Sequence, residues 1–181
     1  AAERAYHLGR AGDAHWAAAV AACREAADAA TATSAHDDAV AHLHRALDLL
    51  HDRPDATMIR FEVAFDLARS IERSGGSVAA EGAYRRAHDL ARDTDTPALV
   101  ARAAARHGIA FYADERAQLA RAADCRAALS DLAATDVADD GLRARLLANL
   151  AAADPTDPDR VATADDAVSI ARRLGDPETL G

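Results

Sequence analysis

Apolar residues recur along this chain at intervals of three and four, and most of them are Ala. Leu43, Ala46, Leu47 and Leu50 form one such stripe, and Val63, Leu67 and Ile71 form another. Each stripe covers one side of a helix with 3.6 residues per turn, so each helix has one face to bury. Ala is the strongest helix former, and its short side chain lets neighbouring helix backbones approach closely. Aromatic residues make up only 4% of the chain, and a sheet would need more of them together with Val, Ile and Thr. No segment reads as a strand, so the expected fold is all-α.

Helix starts are marked by Pro at the first helical position, where its missing N–H costs nothing, with Thr or Asp just before it as a cap. Thr96-Pro97, Asp157-Pro158 and Asp176-Pro177 fit that pattern. Further breaks fall at Gly12-Asp13, Ser34 to Asp37, His51 to Asp55, Gly75-Gly76, Ala113-Asp114 and Thr135 to Gly141. The punctuation predicts nine helices over 2–10, 14–32, 36–50, 55–74, 77–93, 97–112, 115–132, 141–153 and 158–174. Every connection is short, which favours antiparallel neighbours.

With 181 residues the chain is long enough for one continuous core, and a single helical domain over 1–181 is the expectation. All 21 basic residues are Arg, and the formal net charge is −9. Phosphate-tracking surfaces need clustered positive charge, so direct nucleic-acid binding is not expected. Cys23 and Cys125 lack CxxC spacing and sit among Ala on helical stretches, as small buried hydrophobes do. No signal peptide or membrane-spanning apolar run is written in the sequence, which reads as a cytoplasmic protein with no membrane partner. The opening at Ala1-Ala2 and the close at Gly181, just after the helix start Asp176-Pro177-Glu178, suggest a piece of a longer multidomain protein.

From Phe65 to Ala91 the order Leu67, Ala68, Ile71, Gly75, Ala80, Tyr84, Ala87 resembles the tetratricopeptide pattern of large apolar, small, apolar, turn Gly, Ala, aromatic and Ala. The resemblance implies two packed helices, with Ala68, Ala80 and Ala87 where they cross and Tyr84 filling the space toward the next repeat. The second-helix part recurs earlier as Ala39, Leu43 and Ala46, and the step from Ala39 to Ala80 is 41 residues. That exceeds the usual repeat of about 34 by about two helical turns, so each helix is about one turn longer. Leu90-Ala91-Arg92 with Pro97 recurs as Ile170-Ala171-Arg172 with Pro177, an offset of 80 residues. Arg121 and Arg160 stand where later repeats would place the packing Ala. The architecture implied is a right-handed superhelix of antiparallel helix pairs, a tetratricopeptide-like α-solenoid.

The phrases Leu90 to Leu99 and Ile170 to Leu180, a helix end with Ala-Arg, a polar turn closing in Pro, then a new helix, resemble the helical-repeat region of large ATP-binding LuxR-type transcriptional regulators. Tyr6-His7-Leu8, Ala11-Gly12-Asp13 and the Ala-rich helix running to Leu50 are similar to the segment after their nucleotide-binding module. The resemblance implies an ATPase switch before this region and a helix-turn-helix DNA reader after it. Neither is written here: no GxxxxGK[ST] loop is present, and Gly75-Gly76 lies between two amphipathic helices. It further implies a protein-interaction or effector-sensing module of a signalling protein. A freestanding adaptor that joins proteins is the alternative.

In that architecture the first helix of each pair lines the concave surface, which selects Arg24 and Asp28, then Glu62, Phe65, Arg69, Glu72 and Arg73, then Arg106, Arg145 and Asn149. Arg24, Arg69, Arg106 and Arg145 would form a basic ladder suited to carboxylate or phosphate groups, with Phe65 adding apolar contact. The partner implied is a protein, a peptide or a small acidic effector. The same positions also suit a solvated face with local Arg–Asp and Arg–Glu pairs, each worth about 0–1 kcal/mol. His44, Asp48 and His51 share a helix side but read as exposed polar positions, so no metal or other cofactor is expected. Glu115-Arg116 and Asp139-Asp140 read as helix-start acids, and no nucleophile, acid pair or HExxH pattern marks a catalytic residue. Trp16 and Tyr6 suit either a cap over the first helix pair or a docking patch. Terminal faces cut from neighbouring helices would favour self-association.

Overall fold

A computed structural model of the chain describes residues 15–106, 115–135 and 139–175, together with Glu3. Among the described residues every regular element is helical. We number them α1 (Trp16–Ala32), α2 (His36–Leu49), α3 (Thr57–Arg73), α4 (Ser77–Arg92), α5 (Pro97–Arg106), α6 (Glu115–Ala133), α7 (Asp140–Ala153) and α8 (Arg160–Leu174), with a 3₁₀ turn at Pro54–Ala56. The eight helices agree with the predicted spans to within about two residues, except that α5 is described only to Arg106. Pro54 opens the 3₁₀ turn, so α3 starts at Thr57. At α8 the Asp157 carboxylate accepts the N–H of Asp159 at 2.9 Å, holding a turn where a helix start was expected at Pro158. Apart from Glu3, the expected helix over 2–10 lies outside the described residues, as do residues 107–112 of the sixth.

Helix ends follow from their residues. Gly75 has φ +89°, the left-handed conformation that suits a residue without Cβ. Gly76 N–H then donates to Ile71 O at 3.1 Å and Gly75 N–H to Glu72 O at 3.1 Å, the paired bonds of a Schellman stop for α3. The stop of α1 has the same form, with Ala35 N–H to Ala30 O at 2.9 Å and Ser34 N–H to Thr31 O at 3.0 Å. There the left-handed position is taken by Ser34, φ 60°. Asp139 caps α7 by accepting the Leu142 N–H at 2.9 Å.

The chain divides into two compact units, Ala1–Thr94 and Asp95–Gly181. In the first, α1, α2, α3 and α4 pack in sequence, each on the next. The predicted stripes supply the core: Leu43, Ala46, Leu50, Val63 and Leu67 are buried with Val20, Cys23 and Ala27, while Leu47 and Ile71 pack at its edge. Ala68, Ala80 and Ala87 are buried on α3 and α4, as are Ala39 and Ala46 on α2. Tyr84, expected to reach toward a following repeat, turns onto α3: its hydroxyl donates to Glu72 Oε2 at 2.8 Å and its ring meets Phe65 edge-on at 5.7 Å. Trp16 packs against the same core, with the Arg53 guanidinium 5.7 Å from its ring centre.

In the second unit α7 packs on α5, α6 and α8, and α5 on α6. Ala101, Ala104, Ala122, Cys125, Ala128, Leu146, Leu150 and Ala153 form its core. Arg121, at a position read as that of a packing Ala, is buried to 6% exposure. Arg160 lies at the surface and its Nε donates to Ala151 O at 2.8 Å. No helix among the described residues is long and apolar enough to cross a membrane.

Candidate functional site

Four of the expected groove residues, Arg24, Asp28, Arg69 and Arg73, line one cleft between α1 and α3. The helical period explains the grouping: Asp66, Arg69, Ser70 and Arg73 recur at three and four on one side of α3, facing Arg24, Ala27, Asp28 and Thr31 of α1. At its centre stands Asp66. Arg24 Nη2 donates to Asp66 Oδ2 at 3.1 Å, and Arg69 Nη1 lies 3.7 Å from Asp66 Oδ1. The side chains of Arg24 and Arg69 remain 38% and 40% exposed, so both guanidinium groups present donors to solvent.

Burial pushes the Asp66 carboxyl above its ordinary value, and Glu62 pushes the same way, while Arg24 and then Arg69 pull it back only in part. The cleft thus contains one partly desolvated anion between two cations. Its interior space is about 40 Å³, enough for a water and no more, so a larger ligand would have to lie across the mouth or displace Asp66.

Of the other expected site residues, Glu62 lies near enough to Asp66 to act on its carboxyl, and the rest lie elsewhere. Phe65, expected to offer apolar surface, is 4% exposed and packs between Phe61 and Tyr84, 5.7 Å from each ring. Its position on α3 turns it toward α4, so it is a core residue in this structure. Glu72 accepts the Tyr84 hydroxyl and so also points to α4. Arg106, Arg145 and Asn149 belong to the second unit. There Asn149 Nδ2 donates to Ala105 O at 2.8 Å, tying α7 to the end of α5. Of the four-Arg ladder, Arg24 and Arg69 are brought together, on one carboxylate.

Asp66 was not selected from sequence, although the spacing Asp66 to Arg69 is an i,i+3 ion pair that helices favour. A second cluster also escaped selection. Arg126 Nη2 donates to Asp154 Oδ2 at 2.8 Å and to Asp157 Oδ2 at 2.9 Å, clamping α6 to the turn after α7. Hydrogen bonds from Arg126 and Thr156 hold Asp154 below the usual carboxylate range, and those from Asp159 N–H and Arg126 do the same for Asp157. Among the described residues no three His, Cys, Asp or Glu side chains converge as metal ligands. Compared with protein-family models and with characterised proteins, the chain matches none.

Proposed function

We propose that the chain is a non-catalytic helical-repeat module that binds an acidic peptide or small acidic effector. In this reading its antiparallel helix pairs stack as a tetratricopeptide-like, right-handed solenoid within a multidomain LuxR-type regulator. The Ala residues buried on α2, α3 and α4, one repeat step of 41 residues apart at Ala39 and Ala80, support the repeat part. The observation that carries the binding part is the convergence of Arg24 and Arg69 on Asp66 at an open cleft. Two guanidinium forks suit a carboxylate or phosphate, and Asp66 holds their place until one arrives.

That arrangement makes a prediction of definite sign. A fluorescein-labelled Glu-rich peptide, titrated by anisotropy, is expected to bind the native chain and to lose about tenfold in affinity with Arg69→Ala, as the loss of one charge-assisted hydrogen bond implies. Asp66→Asn removes the competing anion and is expected to tighten binding. If Asp66→Asn and Arg69→Ala shift affinity in the same direction, or neither shifts it, the cleft is only a solvated ion-pair face. In the full gene, a phosphate loop upstream and a helix-turn-helix downstream are expected.

A further inference from the structure

A second groove lies on the opposite side of α3 from Asp66, Arg69 and Arg73. It is lined by Leu47 and His51 of the α2 end, Arg60, Ala64 and Leu67 of α3, and Ala83, Arg86 and Leu90 of α4. The residues fall into three helical rows: 47 and 51; 60, 64 and 67; 83, 86 and 90. The rows on α3 and α4 each occupy one side of their helix, and Leu47 of α2 with His51 of the turn after it completes the groove, so it is built by the packing of three elements. Ala64, Leu67 and Ala83 are buried in its floor, Leu47 and Leu90 are half-buried, and His51 and Arg86 are exposed at the rim. Its volume is about 380 Å³, within the span of about 300–1,000 Å³ over which apolar clefts take up ligands.

Its charge is opposite to that of the molecule. The chain carries a net −9, yet among the described residues no carboxylate lines this groove, and its charged lining residues are Arg60 and Arg86 beside His51. Arg60 is held in place, its Nη2 donating to Leu50 O at 2.8 Å and Arg53 O at 2.7 Å. The guanidinium therefore stays at the groove. His51 stands 4.0 Å from Asp52. An apolar trough with one tethered cation, Arg60, and a second, Arg86, exposed at its rim complements an amphipathic helix whose apolar stripe is flanked by carboxylates.

We infer that this α2/α3/α4 groove docks an acidic amphipathic helix of a partner protein, its apolar side chains entering over Ala64, Leu67 and Ala83 and its carboxylates meeting Arg60 and Arg86. The groove is separate from the Arg24–Asp66–Arg69 cleft, so failure here leaves the reading of that cleft standing.

The test uses the whole chain and two synthetic helical peptides of about four turns that share one Leu stripe. In one the stripe is flanked by Glu, in the other by Arg. Because the chain as a whole is acidic, non-specific attraction favours the Arg peptide, and because the Arg24–Arg69 cleft also suits Glu, only a preference for the Glu peptide that depends on Arg86 reports the groove. Anisotropy is expected to show at least tenfold tighter binding of the Glu peptide. Arg86→Glu, at an exposed position, is expected to abolish that preference with helicity unchanged by circular dichroism, and Leu90→Glu to weaken the Glu peptide further. Arg85→Glu, at an exposed position of α4 outside the groove lining, is expected to leave the preference intact. Equal binding of both peptides, no binding, or a preference that survives Arg86→Glu would overturn the inference. So would concentration-dependent dimerisation abolished by Arg86→Glu, which would make a second copy the occupant, or binding to anionic lipid vesicles without binding to the Glu peptide.

Discussion

Tyr84 is one of the bulkiest side chains the first unit buries fully, and its hydroxyl is satisfied by Glu72 at 2.8 Å. Tyr84→Phe removes that bond and leaves the ring packing against Phe65, so urea denaturation is expected to show a loss of about 0.5–1.5 kcal/mol. The cysteines behave as their surroundings dictate. Burial is the main cause that raises both thiols, and Cys125, beside Asp124, is pushed up to about 12. At neutral pH neither is a ready thiolate, and thiol titration with a disulfide reagent is expected to find both slow in the native chain and fast in denaturant. Rapid native labelling at Cys125 would contradict its burial. Asp66 has the unusual sign: its folded pKa lies above the unfolded one, so the stability it contributes is present in acid and is lost as pH rises through the folded value. Asp66→Asn is therefore expected not to lower the melting temperature at pH 7, although it breaks a visible ion pair.

At the scale of the element, α1 and α3 stop in the same way with different residues. Gly75 fills the left-handed position after α3, whereas Ser34 fills it after α1. A side chain there costs about 1–2 kcal/mol in steric repulsion. Ser34→Gly is accordingly expected to stabilise the chain by about 1 kcal/mol and Gly75→Ala to destabilise it by a similar amount, measured by equilibrium unfolding. Gly75 was legible in sequence as a turn residue between two stripes. Ser34 was legible only as part of a break, since nothing in the residue itself announces a positive φ. The 3₁₀ turn before α3 was likewise hidden, because Pro at a first position suits both helix types.

At the scale of the molecule, the loss of stability in acid is expected to arise in part in the second unit. Asp154 and Asp157 both have folded pKa values lowered by their hydrogen bonds. Their contribution is complete above the unfolded carboxylate pKa, about 3.9, and is lost as pH falls through the lower folded values. Urea midpoints are expected to fall as the medium is acidified below about pH 4, and Arg126→Met is expected to flatten that fall. A variant with an unchanged acid limb would show that the clamp carries no folding energy. The division at Thr94 and Asp95 falls at the Thr96-Pro97 helix start, a break the sequence marks without showing that packing changes there.

Helix positions, the all-α class and the buried stripes were set by local chemistry: Ala and Leu at helical spacing, Gly and Pro at the breaks, and caps at the starts. These depend on residues within a turn or two of one another. The partners of each side chain were not. Whether Phe65 met solvent or Tyr84, whether Arg24 found Asp66 across 42 positions, and whether Arg60 and Arg86 came to flank one apolar groove all depended on how neighbouring helices rotate and slide. That rotation is decided by the summed packing of many small side chains, which a period along the sequence does not encode.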